Sequence, residues 1–418
     1  MTRRLSLVVG GVVTVVLVGV VVVVLTSGGA STTRSDATVV APPSSATVSA
    51  ATTTPARSTV VLAMGHLDDP ANTFYELFGR SAGQSTWTLV TPPGVADNGG
   101  LVVGLSTAGS LTAGFLPSGA LTFSVLATSP DGGTTWAPGE VPGTLAPWPD
   151  ALAPGPDGGV YAVLERPSPM VVGADAGLAT WSPQVTASQL TASTSRCAVT
   201  AVTAVTVTAG GTPVVGTRCT DSSGSTGSTG SSGTGLFVRT PTAGGTSSTG
   251  SHGWTYVGTA VGGDGPGTTT VLRAQAVPGG VAAVVERRAG PTVSVTGVWA
   301  GGGPAATAAA STSAPFTVPD GWSVRATAVG GGSGGSVAVL LASDPGSGLR
   351  IGSLAGPGSG WVTTGAVPAG TTAIATIGGE VDAFVPSGSD LAVWASTAGS
   401  RWKRTGTISV PIQYGSSG

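Results

Sequence analysis

The feature that most constrains this chain is a unit that occurs twice. Gly158–Arg166 reads Gly-Gly-Val-Tyr-Ala-Val-Leu-Glu-Arg and Gly279–Arg287 reads Gly-Gly-Val-Ala-Ala-Val-Val-Glu-Arg, so the copies differ only at Tyr161/Ala282 and Leu164/Val285. Paired glycines running into β-branched apolar residues are the pattern of a tight turn feeding a buried strand. Looser copies start at Gly109, Gly210, Gly334 and Gly378. Each leads, after a second strand-like run, to a turn that usually carries a tryptophan: Trp136, Trp181, Trp254, Trp361 or Trp402. The unit from Gly279 has Pro304 to Thr312 in that place. A short strand unit cannot bury its apolar face alone, so repeated copies must stack on one another. Composition agrees, because 9% charged residues and 69 glycines in 418 exclude a chain of long amphipathic helices and favour an all-β fold.

The sharpest of the tryptophan turns is Ser129-Pro130-Asp131-Gly132-Gly133-Thr134-Thr135-Trp136. Asp131 is placed to accept hydrogen bonds from nearby amides, the glycines allow positive φ, and Trp136 buries a ring beside the turn. With Ser129, Asp131, Gly133, Thr135 and Trp136 at these spacings, the stretch resembles the Asp-box of the BNR-repeat, sialidase-type β-propellers. The resemblance covers eight residues and implies a propeller; the same box serves enzymes and binding scaffolds alike. Gln84-Ser85-Thr86-Trp87, Gly358-Ser359-Gly360-Trp361 and Gly399-Ser400-Arg401-Trp402 keep the aromatic and lose the aspartate.

Counting units predicts a seven-bladed β-propeller, with blades over about 58–93, 94–143, 144–190, 191–261, 262–319, 320–369 and 370–414. The first blade shows three strand-like runs, at Thr59 to Met64, Phe74 to Arg80 and Trp87 to Thr91, and its fourth strand is expected from Ile408 to Gln413, closing the ring.

Ahead of the propeller domain at 58–418, two segments are expected. Residues 1–26 hold Arg3, Arg4 and the uncharged run Leu5 to Leu25, long enough as a helix of about 32 Å to cross a bilayer. This reads as a transmembrane signal anchor in the cell membrane with the C-terminal domain outside; the alternative is a cleaved signal with Gly28-Gly29-Ala30 at the cut, giving a secreted domain. Residues 27–57, rich in Ser, Thr, Pro and Ala, read as a disordered stalk. Cys197 and Cys219, the only cysteines, bracket a hairpin of the fourth blade and predict a disulfide contributing about 3 kcal/mol. Asp221 to Gly235 reads as a surface loop.

Little catalytic chemistry is visible. His66 and His252 are the only histidines and neither has metal-ligand spacing, so no metal, no cofactor and no catalytic residue is assigned. Acidic residues such as Asp150, Asp157, Asp320 and Asp390 stand singly beside turn-formers. A sialidase needs an arginine triad and a Tyr nucleophile with its Glu; Phe78-Gly79-Arg80-Ser81 does not match the family segment, and Tyr75, Tyr161, Tyr256 and Tyr414 match none of its motifs. One constellation stands out: Arg166, Arg218 and Arg287 each lie seven residues after a glycine, at Gly159, Gly211 and Gly280, so propeller geometry would turn three guanidiniums toward one anion. The competing reading is solvated strand ends. With a net charge of -2 and no basic stripe, nucleic acid is excluded as a partner. The sequence therefore reads as a monomeric bacterial binding or assembly scaffold, similar in layout to Asp-box propellers of the photosystem assembly-factor type, with a protein or cell-surface glycan as partner; the alternative is sialidase-like glycan binding or hydrolysis.

Overall fold

A computed structural model describes residues 45–409, apart from 55, 66–72, 93–99, 116–122, 143–147, 221–232, 241–252, 258–266, 302–309, 332–333, 344–347, 365, 378–379, 389 and 398–400. The predicted anchor over Leu5 to Leu25, most of the predicted stalk and the loop from Asp221 lie outside the described residues, as do His66, His252 and Tyr414. Among the described residues no helix is long and apolar enough to cross a membrane.

Almost every described element is a strand, and the strands follow one another as antiparallel meanders. The first sheet holds β1 (Ser45–Thr53), β2 (Arg57–Gly65), β3 (Thr73–Ser81) and β4 (Thr88–Leu89). The second holds β5 (Leu101–Leu105), β6 (Leu111–Phe115), β7 (Phe123–Ser129) and β8 (Ala137–Pro142). The third holds β9 (Ala151–Pro154), β10 (Val160–Leu164), β11 (Met170–Ala174) and β12 (Trp181–Thr186). A short helix, α1 (Ala187–Ala192), follows, its first turn closed by a reciprocal Thr186–Gln189 capping box.

Two further meanders share one nine-stranded sheet. They are β13 (Ala198–Val207), β14 (Pro213–Thr220), β15 (Leu236–Thr240) and β16 (Gly253–Val257), then β17 (Thr268–Val277), β18 (Gly280–Ala289), β19 (Thr292–Gly301) and the short β20 (Ser311–Thr312) and β21 (Phe316–Thr317). The link is a three-residue ladder between β14 and β17, Arg218↔Thr270 to Thr220↔Thr268. Then come β22 (Trp322–Gly330), β23 (Ser336–Ser343), β24 (Leu349–Leu354) and β25 (Val362–Thr364), and finally β26 (Ala373–Ile377), β27 (Glu380–Ser387), β28 (Asp390–Thr397) and β29 (Lys403–Ser409).

The first strands of successive meanders lie side by side, β1 next to β5, then β9, β13, β17, β22 and β26, and β26 returns to β1. Sheets joined through their first strands in a closed circuit make a β-propeller with those strands around the axis. Apolar side chains fill the space between neighbouring sheets: Leu126 and Val141 meet Leu152, Val160 and Val172 between the second and third, and Ala328, Leu340 and Ile351 meet Ile374 and Val381 between the last two. Each such side chain, once fully buried, is worth about 1.5–3 kcal/mol in transfer from water.

The turn from first to second strand is the repeated glycine of the sequence. Gly158 and Gly279, the paired positions of the two matching copies, take φ 84° and 86°, and Gly109, Gly211 and Gly335 take the same left-handed conformation in their meanders. The β1–β2 turn does without glycine, its Thr54 amide bonding Arg57 O at 2.7 Å.

Two sequence expectations are corrected. The fourth strand of the first sheet does not come from Ile408 to Gln413: β29 pairs with β28, Asp390↔Ser409 and Leu391↔Ile408, and stays in the last sheet. The missing strand is β1, inside the segment assigned to the stalk, which pairs with β2 from Ser45↔Gly65 to Thr53↔Ser58. The physical reason is crowding. Strands around a propeller axis have room for Ala, Ser, Thr and Val, so an axial strand and a low-complexity linker look alike in composition.

Candidate functional site

The Ser129–Trp136 turn forms the hydrogen-bond network its residues predict. Asp131 Oδ1 accepts from Ser129 Oγ at 2.8 Å, from Thr134 N at 3.1 Å and from Thr135 N at 2.9 Å, while Oδ2 accepts from Thr135 Oγ1 at 2.7 Å. Ser129 Oγ in turn accepts from Gly133 N at 2.6 Å, and Trp136 Nε1 donates to Gly133 O at 3.2 Å. The bonds from the Thr135 amide and hydroxyl, and from Ser129, hold the Asp131 carboxyl at a pKa of about 2. Gly133 has φ 97°, and an added Cβ would stand 2.5 Å from Val90 Cβ on the first sheet, so the turn is wedged against its neighbour. Arg57 reaches this gap from β2: an added Cβ on Gly79 or Gly132 would run into its guanidinium, and burial lowers its pKa against the pull of Asp131. The sequence gives no sign of Arg57 beyond two glycines that leave it space.

The tryptophan turns share one job, with or without aspartate. Trp136 packs with Leu77 and Val90 of the first sheet region, Trp181 Nε1 donates to Glu140 O of β8 at 2.7 Å, and Trp361 Nε1 donates to Ala314 O at 2.9 Å. Trp254 lies in the cluster with Val171 and Val185 of the third sheet, and Trp402 packs onto the cluster containing Leu340 and Ile351. Each thus clamps its own sheet to the preceding one. Trp87 completes the circuit, packing edge-on against Phe384 of β27 with ring centroids 6.0 Å apart.

That closing seam also carries charge. Arg80 Nη2 bonds Asp382 Oδ2 at 2.9 Å between β3 and β27, and the Arg80 guanidinium stacks 4.9 Å from the Trp87 ring centroid. Burial, which outweighs the attraction of Arg80, pushes Asp382 up to about 6, with Glu380 adding to the rise. Arg80, which fails to match the family segment, is here a seam residue.

The predicted disulfide is present: Cys197, just before β13, is bonded to Cys219 in β14, with Cα atoms 5.1 Å apart. The three arginines of the predicted constellation occupy different surroundings. Arg166, just past β10, and Arg218 in β14 are exposed, whereas Arg287 in β18 is 3% exposed. Strand register sets Arg218 in one row with Thr270 and Glu286, and Arg287 in the next row with Thr269 and Ser294, so the two leave opposite faces of the shared sheet. Glu286 is bonded to Arg288 Nε at 2.5 Å. Of the tyrosines, Tyr161 accepts a 3.5 Å bond from Arg239 Nη1, which also donates to Gln184 Oε1 at 3.1 Å, and Tyr256 packs edge-on to Phe237.

Other carboxylates are engaged close to home. Asp150 Oδ2 accepts from Glu165 N at 2.8 Å, burial raising its pKa; Asp157 Oδ1 accepts from Gly159 N at 3.1 Å; and Glu76 bonds Thr91. Among the described residues no three His, Cys, Asp or Glu side chains group as metal ligands would.

The axis holds the polar residues that sequence reasoning missed. Thr52 of β1 donates to Gln275 Oε1 of β17 at 3.0 Å, although neither of these first strands neighbours the other in the ring, so the bond crosses its centre. Two residues before Gln275 stands Arg273, whose Nη1 meets Thr327 O of β22 at 3.4 Å. The axial strands β1, β13, β17 and β22 each carry a register shift at comparable depth, leaving Ser49, Thr203, Leu272 and Arg325 unpaired in the ladder.

No protein-family model and no curated protein matches this chain. Among solved structures, YCF48 from Cyanidioschyzon merolae superposes with a TM-score of 0.45 at 13% identity, over 82% of this chain and 94% of that one. The six-bladed lectin of Aleuria aurantia gives 0.38 at 13%, over 89% and 98%, and polysaccharide lyase Uly1 gives 0.45 at 10%, over 75% and 82%. These superpositions are loose, and the propeller assignment rests on the closed circuit of sheets described above.

Proposed function

We propose that this chain is a seven-bladed Asp-box propeller, anchored in the cell membrane by Leu5 to Leu25 with the ring outside, and that it is a non-enzymatic scaffold presenting its loops to a protein or glycan partner. The count follows from dividing the nine-stranded sheet at the β14–β17 ladder, which yields two meanders of the same build as the other five sheets. The observation that carries the scaffold reading is where six of the described carboxylates go. Asp131, Asp150, Asp157, Asp382, Glu76 and Glu286 are bonded into turns, strand ends and the ring seam, the places where they hold the fold. General acid–base chemistry needs such a group aimed at a substrate.

The test is a turnover assay on the full-length chain in mild detergent, with sialosides, uronic-acid glycans and sulfated glycans, run beside a binding measurement on the same panel. A scaffold gives no product above blank, with or without saturable binding. Product formation above blank would instead establish the glycan-hydrolysing alternative.

A further inference from the structure

We infer that the ring axis contains a binding site for a small oxyanion of the carboxylate, phosphate or sulfate class, with the guanidinium of Arg273 as its anchor and the Thr52–Gln275 bridge as its floor. Arg273 is half-buried, and its Nη1 reaches Thr327 O of the neighbouring axial strand β22, which sets the guanidinium at the ring axis. The topology agrees, since β17 is an axial strand and the next inward residue on it, Gln275, bonds β1 across the centre. Side chains two apart on a strand leave the same face about 7 Å from each other, which sets the guanidinium one layer from that bridge.

A guanidinium has five N–H donors in a planar fork. Among the described residues the fork of Arg273 makes one hydrogen bond, the long contact to Thr327 O. No carboxylate among them offsets its charge: burial alone acts on it, lowering its pKa to about 10, so it stays cationic at neutral pH. Two other buried or half-buried arginines have carboxylate partners, Arg80 in Asp382 and Arg57 in Asp131. A half-buried guanidinium with no carboxylate partner among the described residues can receive an oxyanion that matches two donors of its fork in charge-assisted bonds. The site is independent of whatever the outer loops bind.

The test uses full-length chain in mild detergent, with melting followed by tryptophan fluorescence while phosphate, sulfate or acetate replaces chloride at constant ionic strength. Wild type is expected to gain several degrees, saturating with concentration. Arg273→Met should lose the saturable part, Arg273→Lys should weaken binding at least tenfold because it cannot offer the fork, and Lys403→Met, an exposed control, should behave as wild type. Phosphate set against acetate separates a tetrahedral from a planar ligand. An equal rise in Arg273→Met would reduce the effect to general salt stabilisation and overturn the assignment. So would a wild type without a saturable response. Should Arg273→Met fail to fold, phosphorus-31 line broadening on the wild type decides: broadening reversed by excess sulfate supports the site, and an unbroadened line refutes it.

Discussion

Replacing Asp382 by Asn should make the ring more stable at pH 8 although it deletes an ion pair. The carboxyl is 3% exposed and held by Arg80 through Oδ2, while Oδ1 has no hydrogen-bond partner among the described residues. Its folded pKa of about 6 stands about two units above the ordinary 3.8, so keeping it ionised costs roughly 3 kcal/mol at about 1.4 kcal/mol per unit. The sign follows from proton counting. Between about pH 4 and pH 6 the folded chain binds the proton that the unfolded chain has released, so this contribution is fully present below pH 4 and is lost as pH rises through 6. Asparagine keeps the shape and stays neutral, so the variant and wild type should agree near pH 4, and the variant should lead by up to about 3 kcal/mol at pH 8. Urea unfolding midpoints at half-unit pH steps, followed by tryptophan fluorescence, measure the difference directly, with every other carboxylate cancelling. A variant that is less stable than wild type at pH 8 would refute the reasoning, because the attraction of Arg80 would then exceed the cost of burial.

Two further outcomes follow from the Ser129–Trp136 turn and the tryptophan clamps. Asp131→Ala should lower the melting temperature by a constant amount from pH 7 to about pH 4.5, and the gap should close as pH falls toward 2, since the depressed pKa of Asp131 gives a contribution present above its unfolded pKa and lost below; a gap that persists at pH 2 counts against the hydrogen-bond account. Trp181→Phe should cost about 1 kcal/mol more than Trp402→Phe by urea midpoint, because Trp181 Nε1 donates to Glu140 O whereas Trp402 Nε1 is buried without a partner among the described residues; equal losses would show that ring packing alone sets the clamp.

What the sequence revealed was local. The Ser129–Trp136 turn is legible because its bonds join residues within five positions of Asp131, and the disulfide because two cysteines allow one pairing. The glycine turns are legible for the same reason: each imposes its backbone angle on its own hairpin. The closing seam is not, since Arg80 and Asp382 lie 302 positions apart and neither stands in a motif. β1 is hidden differently. Its Ser-Ala-Thr-Val-Ser-Ala-Ala-Thr-Thr has the small side chains of the other axial strands, such as β13 with Ala-Val-Thr-Ala-Val-Thr-Ala-Val-Thr-Val, and that match of composition was the signal available. Arg273 could be read only as one more arginine until the ring placed it on the axis.

Among the described residues the first and last sheets meet through side chains alone, with no strand exchanged between them, and this makes the two ends of the circuit unequal. β29 is the outer edge of its sheet, so peeling it away leaves the axis intact, whereas withdrawing β1 removes a stave from the middle of the barrel together with the floor at Thr52. A circularly permuted chain that kept each sheet whole, opening between β4 and β5 and joining β29 to β1, would therefore leave every ladder unbroken. One opened between β1 and β2 would turn the seam into an exchanged strand.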